Sequence, residues 1–226
     1  MDRREDYLKV IYKMASEGET VTAGRVAEWL GLSSPSVSAM AKRLESELLL
    51  ERSPAGWRLT SEGEQTALRV VRRHRLMETF LAEVLGMAWD EVHDEAEALE
   101  HAVSSRLEER IDAALGHPRF DPHGDPIPPL EGPHHESVGV PLGSAAEGSV
   151  FRVERVSDRD SAVLRYLAGL GIVPGAVLEL EKQEPFGGPR WVRANGQMHA
   201  LGSPICDAVR GTILSNGATS AARESA

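Results

Sequence analysis

Residues 33–59 read SSPSVSAMAKRLESELLLERSPAGWRL, and this stretch decides the fold. Ser33 is suited to cap a helix, and Pro35 favours the first turn of one. Apolar residues then recur at helical spacing, which predicts a helix that ends near Glu45. Residues 48–63 follow as two short strands joined by a Pro- and Gly-containing turn. The stretch therefore predicts a helix followed by a β-hairpin.

Two further helices are predicted before this stretch. Residues 3–16 carry apolar side chains at helical spacing, and Thr22 is suited to cap a second helix that ends before Gly31. A helix, a helix–turn–helix and a hairpin in this order are typical of a winged helix–turn–helix domain, with an ordinary small helical domain as the alternative. The residues predicted to face phosphates and base edges are Arg25, Ser33, Ser34, Pro35, Ser36, Ser38, Lys42, Arg43 and Arg58.

Two long amphipathic helices are predicted next, over 62–85 and 89–115. Their apolar stripes need a partner, and a two-fold dimer interface would provide one, since operators are read by dimers. A bundle within one chain is the alternative. Residues 117–149 hold seven of the 13 prolines and predict a linker.

A second small domain is predicted beyond the linker. Short alternating stretches indicate about five strands, and Asn195-Gly196 is a strong hairpin signal, so a small β-barrel is expected. The expected class is α+β. The predicted divisions are a winged helix, a helical dimerisation and metal-binding domain, a Pro-rich linker, a small β domain and a disordered tail, over residues 1–63, 64–125, 126–147, 148–214 and 215–226.

The composition excludes several classes of protein. The 226 residues include 35 Asp and Glu against 25 Lys and Arg, for a net charge of −10. The single cysteine, Cys206, allows neither a disulfide framework nor a cysteine-based zinc site. There is no apolar run of membrane-spanning length and no signal-peptide core, so we expect a cytoplasmic protein with no membrane partner.

The negative charge is concentrated in one segment. Residues 76–125 hold 13 Asp and Glu but only three Arg and no Lys. His93, Glu97 and His101 recur every four residues, which predicts one helical face close to the buried stripe. Carboxylates there need a neutralising partner, and with so few local cations a bound metal is favoured over a solvated acidic face.

Two motifs then carry a family resemblance. RRHRLMETF and VHDEAEALEHAVS, behind a winged helix and ahead of a small barrel, resemble the diphtheria toxin repressor/manganese transport regulator family. LAGLGIVPGAVLEL resembles the SH3-like domain of its longer members. The resemblance covers the chain to about residue 214. It implies a metal-dependent transcriptional repressor with two metal sites per subunit.

The resemblance also implies the metal ligands. The primary site would comprise Asp6, His74, Glu97, Glu100 and His101. Asp6 and Glu97 fall where iron-type members have a thioether and a thiol, and an all-oxygen and nitrogen set favours Mn²⁺, with Fe²⁺ as the alternative. Lys9 falls where two-domain manganese regulators have a glutamate, which argues against their binuclear arrangement.

The second site has two versions under the same resemblance. One runs through His74, Glu78 and His93, and is completed by the SH3-like domain. The preferred version comprises Glu78, Asp121, His123 and Asp158, with His93 as an alternative ligand and with Asp160 or Glu154 able to replace Asp158.

The resemblance thus implies a metal-activated repressor of metal-uptake genes, and we expect it to bind palindromic duplex DNA as a homodimer. In the metal-free protein, repulsion among Asp6, Glu97 and Glu100 is expected to loosen the first helix. The expectation is that the protein is no enzyme and has no small organic substrate. A metal-dependent hydrolase is the rival function, and a winged-helix sensor of an organic ligand is a third.

Overall fold

The computed structural model describes residues 3–54, 56–134, 136 and 139–215. The chain divides into two compact units: Met1–Met77, Ala96–Arg119 and Ile127–Glu136 form the first, and Glu78–Glu95, Phe120–Pro126 and Ser137–Ala226 form the second. No helix within the described ranges is both long enough and apolar enough to cross a membrane. The predicted tail lies outside the described residues, except for Ser215.

The first unit begins with the predicted winged helix. Its elements are α1 (Arg3–Ser16), α2 (Ala23–Leu30), α3 (Ser34–Ser46), β1 (Leu50–Ser53) and β2 (Gly56–Leu59). The two strands pair antiparallel. Leucine, isoleucine, valine and methionine side chains from all three helices and β1 are buried in one core.

The helix ends follow the capping signals of the sequence. The Thr22 hydroxyl accepts the Arg25 amide at the start of α2, and Gly31 adopts φ 63° where α2 ends. The Ser33 hydroxyl accepts the Ser36 amide at the start of α3. The turn between α2 and α3, and with it the direction of α3, is therefore fixed by local sequence.

The long helical region differs from the prediction. α4 (Ser61–Glu83) is continuous, but the single helix expected over 89–115 is two helices, α5 (Val92–Leu99) and α6 (Ser105–Ala114). The Ser104 hydroxyl accepts the Leu107 amide and so begins a new helix. The apolar period continues through the break, which is why periodicity alone missed it.

The Pro-rich linker is partly ordered against the first unit. Arg72 of α4 donates to the carbonyl oxygen of Pro128 at 2.8 Å. Arg75 donates to Glu136 at 3.0 Å. Burial alone would raise the pKa of Glu136, but His134 and Arg75 outweigh it and lower that pKa to about 2. Pro128 and Glu136 are thus held by a backbone contact and a charged contact to α4.

The second unit contains a six-stranded antiparallel sheet with strand order β3-β8-β4-β5-β6-β7. The elements are β3 (Val140–Pro141), β4 (Val150–Val156), α7 (Ser161–Gly169), β5 (Val177–Gln183), β6 (Arg190–Ala194), β7 (Gln197–Leu201), α8 (Ser203–Ala208) and β8 (Val209–Ser215). Asn195 and Gly196 both have positive φ in the predicted hairpin turn. Within the described residues the edge strands β3 and β7 do not pair, so the expected barrel is an open sheet.

Candidate metal centre

A first group of acidic and imidazole side chains lies in the first unit and is called the primary cluster: Asp6, His74, Glu97, Glu100 and His101. Ligand atoms of Asp6, Glu100 and His101 lie within 4.8 Å of one another, as do those of His74, Glu97 and Glu100. His101 Nε2 is 2.7 Å from Asp6 Oδ1, and His74 Nδ1 is 2.7 Å from Glu100 Oε2. Glu100, which is fully buried, is common to both groups.

The helical-face argument for these ligands was wrong in part. Glu97 lies in α5, but Glu100 and His101 lie in the turn between α5 and α6. The turn brings them together with Asp6 of α1 and His74 of α4. The helix break that periodicity missed is therefore the feature that shapes this cluster.

Lys9 contacts the primary cluster directly. Its Nζ atom is 2.6 Å from Glu97 Oε1 and 2.7 Å from Glu100 Oε1, and its side chain is only 5% exposed. The count of cations within residues 76–125 could not reveal this partner, because it comes from α1. The repulsion expected between Glu97 and Glu100 is therefore offset by an ammonium group.

The pKa values of two carboxyl groups in the primary cluster are shifted in opposite directions. Burial raises the pKa of Asp6, and the charge of His101 offsets only part of this effect. Burial would also raise the pKa of Glu100, but the hydrogen bond from His74 and the charge of Lys9 outweigh it and lower that pKa. Glu100 is thus held ionised in a buried position, as a metal ligand must be.

A second group lies in the second unit and is called the secondary cluster: Glu78, His93, Asp121, His123 and Asp158. Ligand atoms of Glu78, Asp121 and His123 lie within 4.8 Å of one another, as do those of Glu78, His93 and Asp158. His93 Nδ1 is 3.1 Å from Glu78 Oε1 and 3.3 Å from Asp158 Oδ2. Glu78 is therefore common to both groups, and His93 of one predicted version lies in the same cluster as the four ligands of the preferred version.

His123 is oriented by a backbone carbonyl. Its Nε2 atom lies 2.7 Å from the carbonyl oxygen of Trp89, which can only accept, so Nε2 carries a proton. Its Nδ1 atom is buried, has no hydrogen-bond partner among the described residues, and faces Glu78 Oε2 at 3.8 Å. Burial lowers the pKa of His123, but Glu78, Asp121 and Asp158 outweigh it and raise the value to about 9. The carboxylates of the secondary cluster therefore favour the positively charged imidazole of His123, in which Nδ1 is protonated as well as Nε2.

The loop that carries Asp121 and His123 is tightly constrained. Asp121 Oδ1 accepts the backbone amides of His123 and Asp125, both at 2.9 Å. Gly124 has φ 88°, and a Cβ atom there would lie 1.9 Å from the Glu154 carbonyl oxygen of β4. Glycine is required both by the backbone conformation and by the close approach to β4.

We predict that Gly124→Ala displaces this loop and removes the secondary cluster's metal affinity. The clash with the Glu154 carbonyl oxygen adds to the conformational cost of placing alanine at a left-handed φ. The free energy of unfolding should therefore fall by roughly 2 kcal/mol or more. Gly175→Ala is the matched control, because Gly175 has φ 91° and open space around it. It should cost only about 1 kcal/mol and retain metal binding. Urea unfolding and a Mn²⁺ titration measure both effects, and equal losses in the two variants would contradict the argument.

The alternative ligands have other contacts. Asp160 accepts the Ala162 amide and caps α7. Glu154 accepts a hydrogen bond from Thr212. Asp158 is instead nearly buried beside His93, so it is the residue that the secondary cluster contains.

The residues predicted to face DNA lie on the winged helix. Those that are solvent-exposed are Arg25, Ser33, Ser34, Pro35, Ser36, Lys42, Arg43 and Arg58, and Ser38 is partly exposed. Arg43 pairs with Glu47 at 2.9 Å, and Arg25 and Arg58 pair with Glu19 and Glu51. These exposed ion pairs are weak, so phosphate oxygens can replace the carboxylates at little cost.

Two groups near the clusters, the Glu5 carboxylate and the Trp89 carbonyl, were missed by sequence reasoning. Glu5 Oε2 lies 3.4 Å from His101 Nδ1, and its position beside Asp6 was the available signal. Lys9 was identified only as a departure from the ligand pattern of two-domain manganese regulators, and its contact with Glu97 and Glu100 was not predicted. No sequence signal could have predicted the contact between the Trp89 carbonyl and His123, because every residue has a backbone carbonyl group.

Both clusters fit a divalent cation. Their side-chain donors are carboxylate oxygens and imidazole nitrogens, which suit manganese and iron. Cys206 belongs to neither cluster; its thiol is buried near the Leu201 carbonyl oxygen, and burial raises its pKa. The buried Nδ1 atom of His123 makes no hydrogen bond within the described residues and faces Glu78 Oε2 at 3.8 Å, where it can hold a proton or, once deprotonated, ligate a cation.

Comparisons with known proteins agree with this architecture. Residues 1–56 match the family described as "Iron dependent repressor, N-terminal DNA binding domain". Residues 60–129 match "Iron dependent repressor, metal binding and dimerisation domain", and residues 140–212 match the FeoA domain.

Individual relatives match over most of their length. The iron-dependent repressor IdeR of Mycobacterium leprae is 37% identical over 80% of this chain and 84% of its own. The diphtheria toxin repressor of Corynebacterium efficiens is 30% identical over 93% of this chain and 95% of its own.

Solved structures give the same result. A manganese-dependent transcriptional repressor in complex with manganese is 41% identical, with a TM-score of 0.87 over 93% of this chain and 100% of that chain. The manganese regulator SloR is 34% identical, with a TM-score of 0.80 over 92% of this chain and 97% of that chain. The chain therefore belongs to the family of iron-dependent repressors that includes IdeR and the diphtheria toxin repressor.

Proposed function

We propose that this protein is a manganese-responsive, metal-activated transcriptional repressor of metal-uptake genes, with Fe²⁺ as the alternative effector. The observation that carries the proposal is the pair of sulfur-free carboxylate and imidazole clusters in a chain of this repressor family. The bound ion would supply the positive charge that holds the clustered acidic side chains together in one arrangement.

The primary cluster would couple metal to the winged helix. Asp6 lies in α1, which packs in the same core as α2 and α3. Its partner ligands come from α4, from α5 and from the turn after α5. A cation held by Asp6, Glu100 and His101 would therefore fix α1 against the metal-binding region. Metal favours DNA binding to the extent that it binds this conformer more tightly than others.

The secondary cluster would hold a second ion. We propose Glu78, Asp121, His123 and Asp158 as its ligands, with His93 as the alternative to one of them. The Trp89 carbonyl orients His123 so that Nδ1 faces the cluster, which is the usual arrangement for a metal-bound imidazole. The β domain would thereby contribute Asp158 to a metal site.

The absence of sulfur ligands from the primary cluster supports manganese as the metal to which the protein responds. We predict that Asp6→Met combined with Glu97→Cys shifts the response from Mn²⁺ towards Fe²⁺, because soft ligands favour the later metal. The ratio of the two apparent affinities, measured anaerobically, should change by about tenfold or more, which corresponds to roughly 1.4 kcal/mol. The matched control is Asp94→Met, an exposed acidic residue of α5 outside both clusters. An unchanged metal profile in the double variant would count against the ligand assignment.

The proposed DNA partner is a palindromic duplex. α3 would enter the major groove and β1–β2 would contact the backbone, with Lys42, Arg43 and Arg58 at phosphates. Two winged helices of a homodimer would read half-sites about one helical turn apart. The proposed divisions remain 1–63 for DNA binding, 64–125 for dimerisation and metal, 126–147 for the linker and 148–214 for the β domain.

Membership of a repressor family favours this function over a metal-dependent hydrolase and over an organic-ligand sensor. A gel-shift titration tests the three. The DNA is a library of random duplexes enriched on the Mn²⁺-loaded protein, and the metals are Mn²⁺, Fe²⁺ and Zn²⁺. We expect retardation that requires metal and is reversed by EDTA. Retardation independent of every metal would overturn the proposal.

A further inference from the structure

The buried Lys9 ammonium is the cation already present in the primary cluster. Its side chain leaves α1 and reaches Glu97 and Glu100, 88 and 91 residues further along the chain. Nζ is also 2.9 Å from the second oxygen of Glu100. All three ammonium donors can therefore be satisfied by two carboxylates.

Burial of a lysine is unusual without such partners. A charged ammonium loses its hydration when it is buried, and only paired carboxylates recover that cost. Lys9 is 4% exposed and Glu100 is fully buried, so each depends on the other. The contact is thus a buried pair of mutually dependent charges rather than an incidental surface pair.

The same contact opposes a metal ion. Both oxygens of Glu100 lie within hydrogen-bond distance of Lys9 Nζ, and Oε2 is also 2.7 Å from His74 Nδ1. Glu97 Oε1 is 2.6 Å from Lys9 Nζ. A divalent ion that uses these oxygens meets a positive charge within hydrogen-bond distance of them. Repulsion between the two cations weakens metal binding unless the ammonium moves away.

We propose, on the basis of the function proposed above, that Lys9 is a tethered competitor of the metal at the primary cluster: it stabilises the metal-free protein and raises the metal concentration at which the protein responds. The two carboxylates that Lys9 contacts, Glu97 and Glu100, do not belong to the secondary cluster. The secondary cluster therefore provides an internal reference within the same molecule.

The test compares the full-length wild-type protein with Lys9→Met and Lys9→Gln. Mn²⁺ is titrated at constant pH and ionic strength, and bound ions are counted by electron paramagnetic resonance. We expect the primary-cluster affinity to rise at least tenfold in both variants, with an unchanged affinity at the secondary cluster. Lys182→Met is the matched control, because Lys182 is an exposed lysine of β5 that pairs with Glu184 outside both clusters, and its metal affinities should equal those of the wild type.

Thermal melting gives a readout that does not depend on DNA. Metal-free Lys9→Met should melt below the wild type, and saturating Mn²⁺ should raise its melting temperature by more than it raises that of the wild type. Lys9→Gln removes the charge but provides an amide that can still donate hydrogen bonds to the two carboxylates. It therefore keeps the test valid if Lys9→Met does not fold. Equal or weaker Mn²⁺ affinity in both Lys9 variants, with the wild type binding normally, would overturn the role of Lys9. A wild type that binds no Mn²⁺ at all would instead contradict the proposed function.

Discussion

Asp6→Ala is expected to abolish metal-dependent DNA binding. Asp6 is the carboxylate that α1 contributes to the primary cluster, 2.7 Å from His101 Nε2. Its loss would remove the proposed ligand that joins α1 to the rest of the primary cluster while leaving Glu100 and His74 in place. Loss of even an outer-shell partner costs 10–100-fold in metal affinity, so we expect roughly 100-fold or more here.

The measurement is retardation of the enriched duplex at increasing Mn²⁺. Asp94→Ala is the control, since Asp94 is an exposed acid on α5 and belongs to neither cluster. It should respond like the wild type. Circular dichroism of the metal-free Asp6→Ala protein should match the wild type, which separates loss of a ligand from loss of the fold. Undiminished Mn²⁺-dependent retardation by Asp6→Ala would refute the coupling mechanism.

His123→Ala is expected to reduce the number of tightly bound Mn²⁺ ions from two to one per chain. The buried Nδ1 atom faces Glu78 Oε2 at 3.8 Å, and alanine leaves the carboxylates of the secondary cluster without their imidazole. The primary cluster belongs to the other unit, so its affinity should be unchanged.

Equilibrium dialysis at saturating Mn²⁺ counts the ions. His117→Ala is the control, because His117 is an exposed imidazole that pairs with Asp112 outside both clusters. It should retain both ions. Two tightly bound ions in His123→Ala would show that the secondary cluster does not need this histidine.

Local sequence predicted the winged helix because its signals are local. Caps such as Thr22 and Ser33, and the glycine at the end of α2, act within a few residues of where they occur. The same reasoning failed between α5 and α6, because the apolar period continues across the turn at Glu100 and His101. It also gave no helix for α7 or α8, and it predicted about five strands where the described sheet of the β domain has six.

The candidate site was only partly predictable from sequence. The acidic segment and its histidines predicted a cation, and the family resemblance implied a set of ligands that the structure brings into two clusters. Lys9 shows the limit of that reasoning, since a count of nearby cations cannot include one that α1 supplies from far along the chain. The orientation of His123 depends on a Trp89 backbone carbonyl, and such contacts exist only in the folded chain.

The most direct test of metal-activated DNA binding measures metal and DNA on the same sample. Wild-type protein is freed of metal with a chelator, and Mn²⁺ is added stepwise while duplex binding is followed by fluorescence anisotropy and bound Mn²⁺ by dialysis. Specific DNA binding should be absent without metal and should rise as the primary cluster fills. Full specific binding in the chelator, or metal uptake with no change in DNA affinity, would contradict the account.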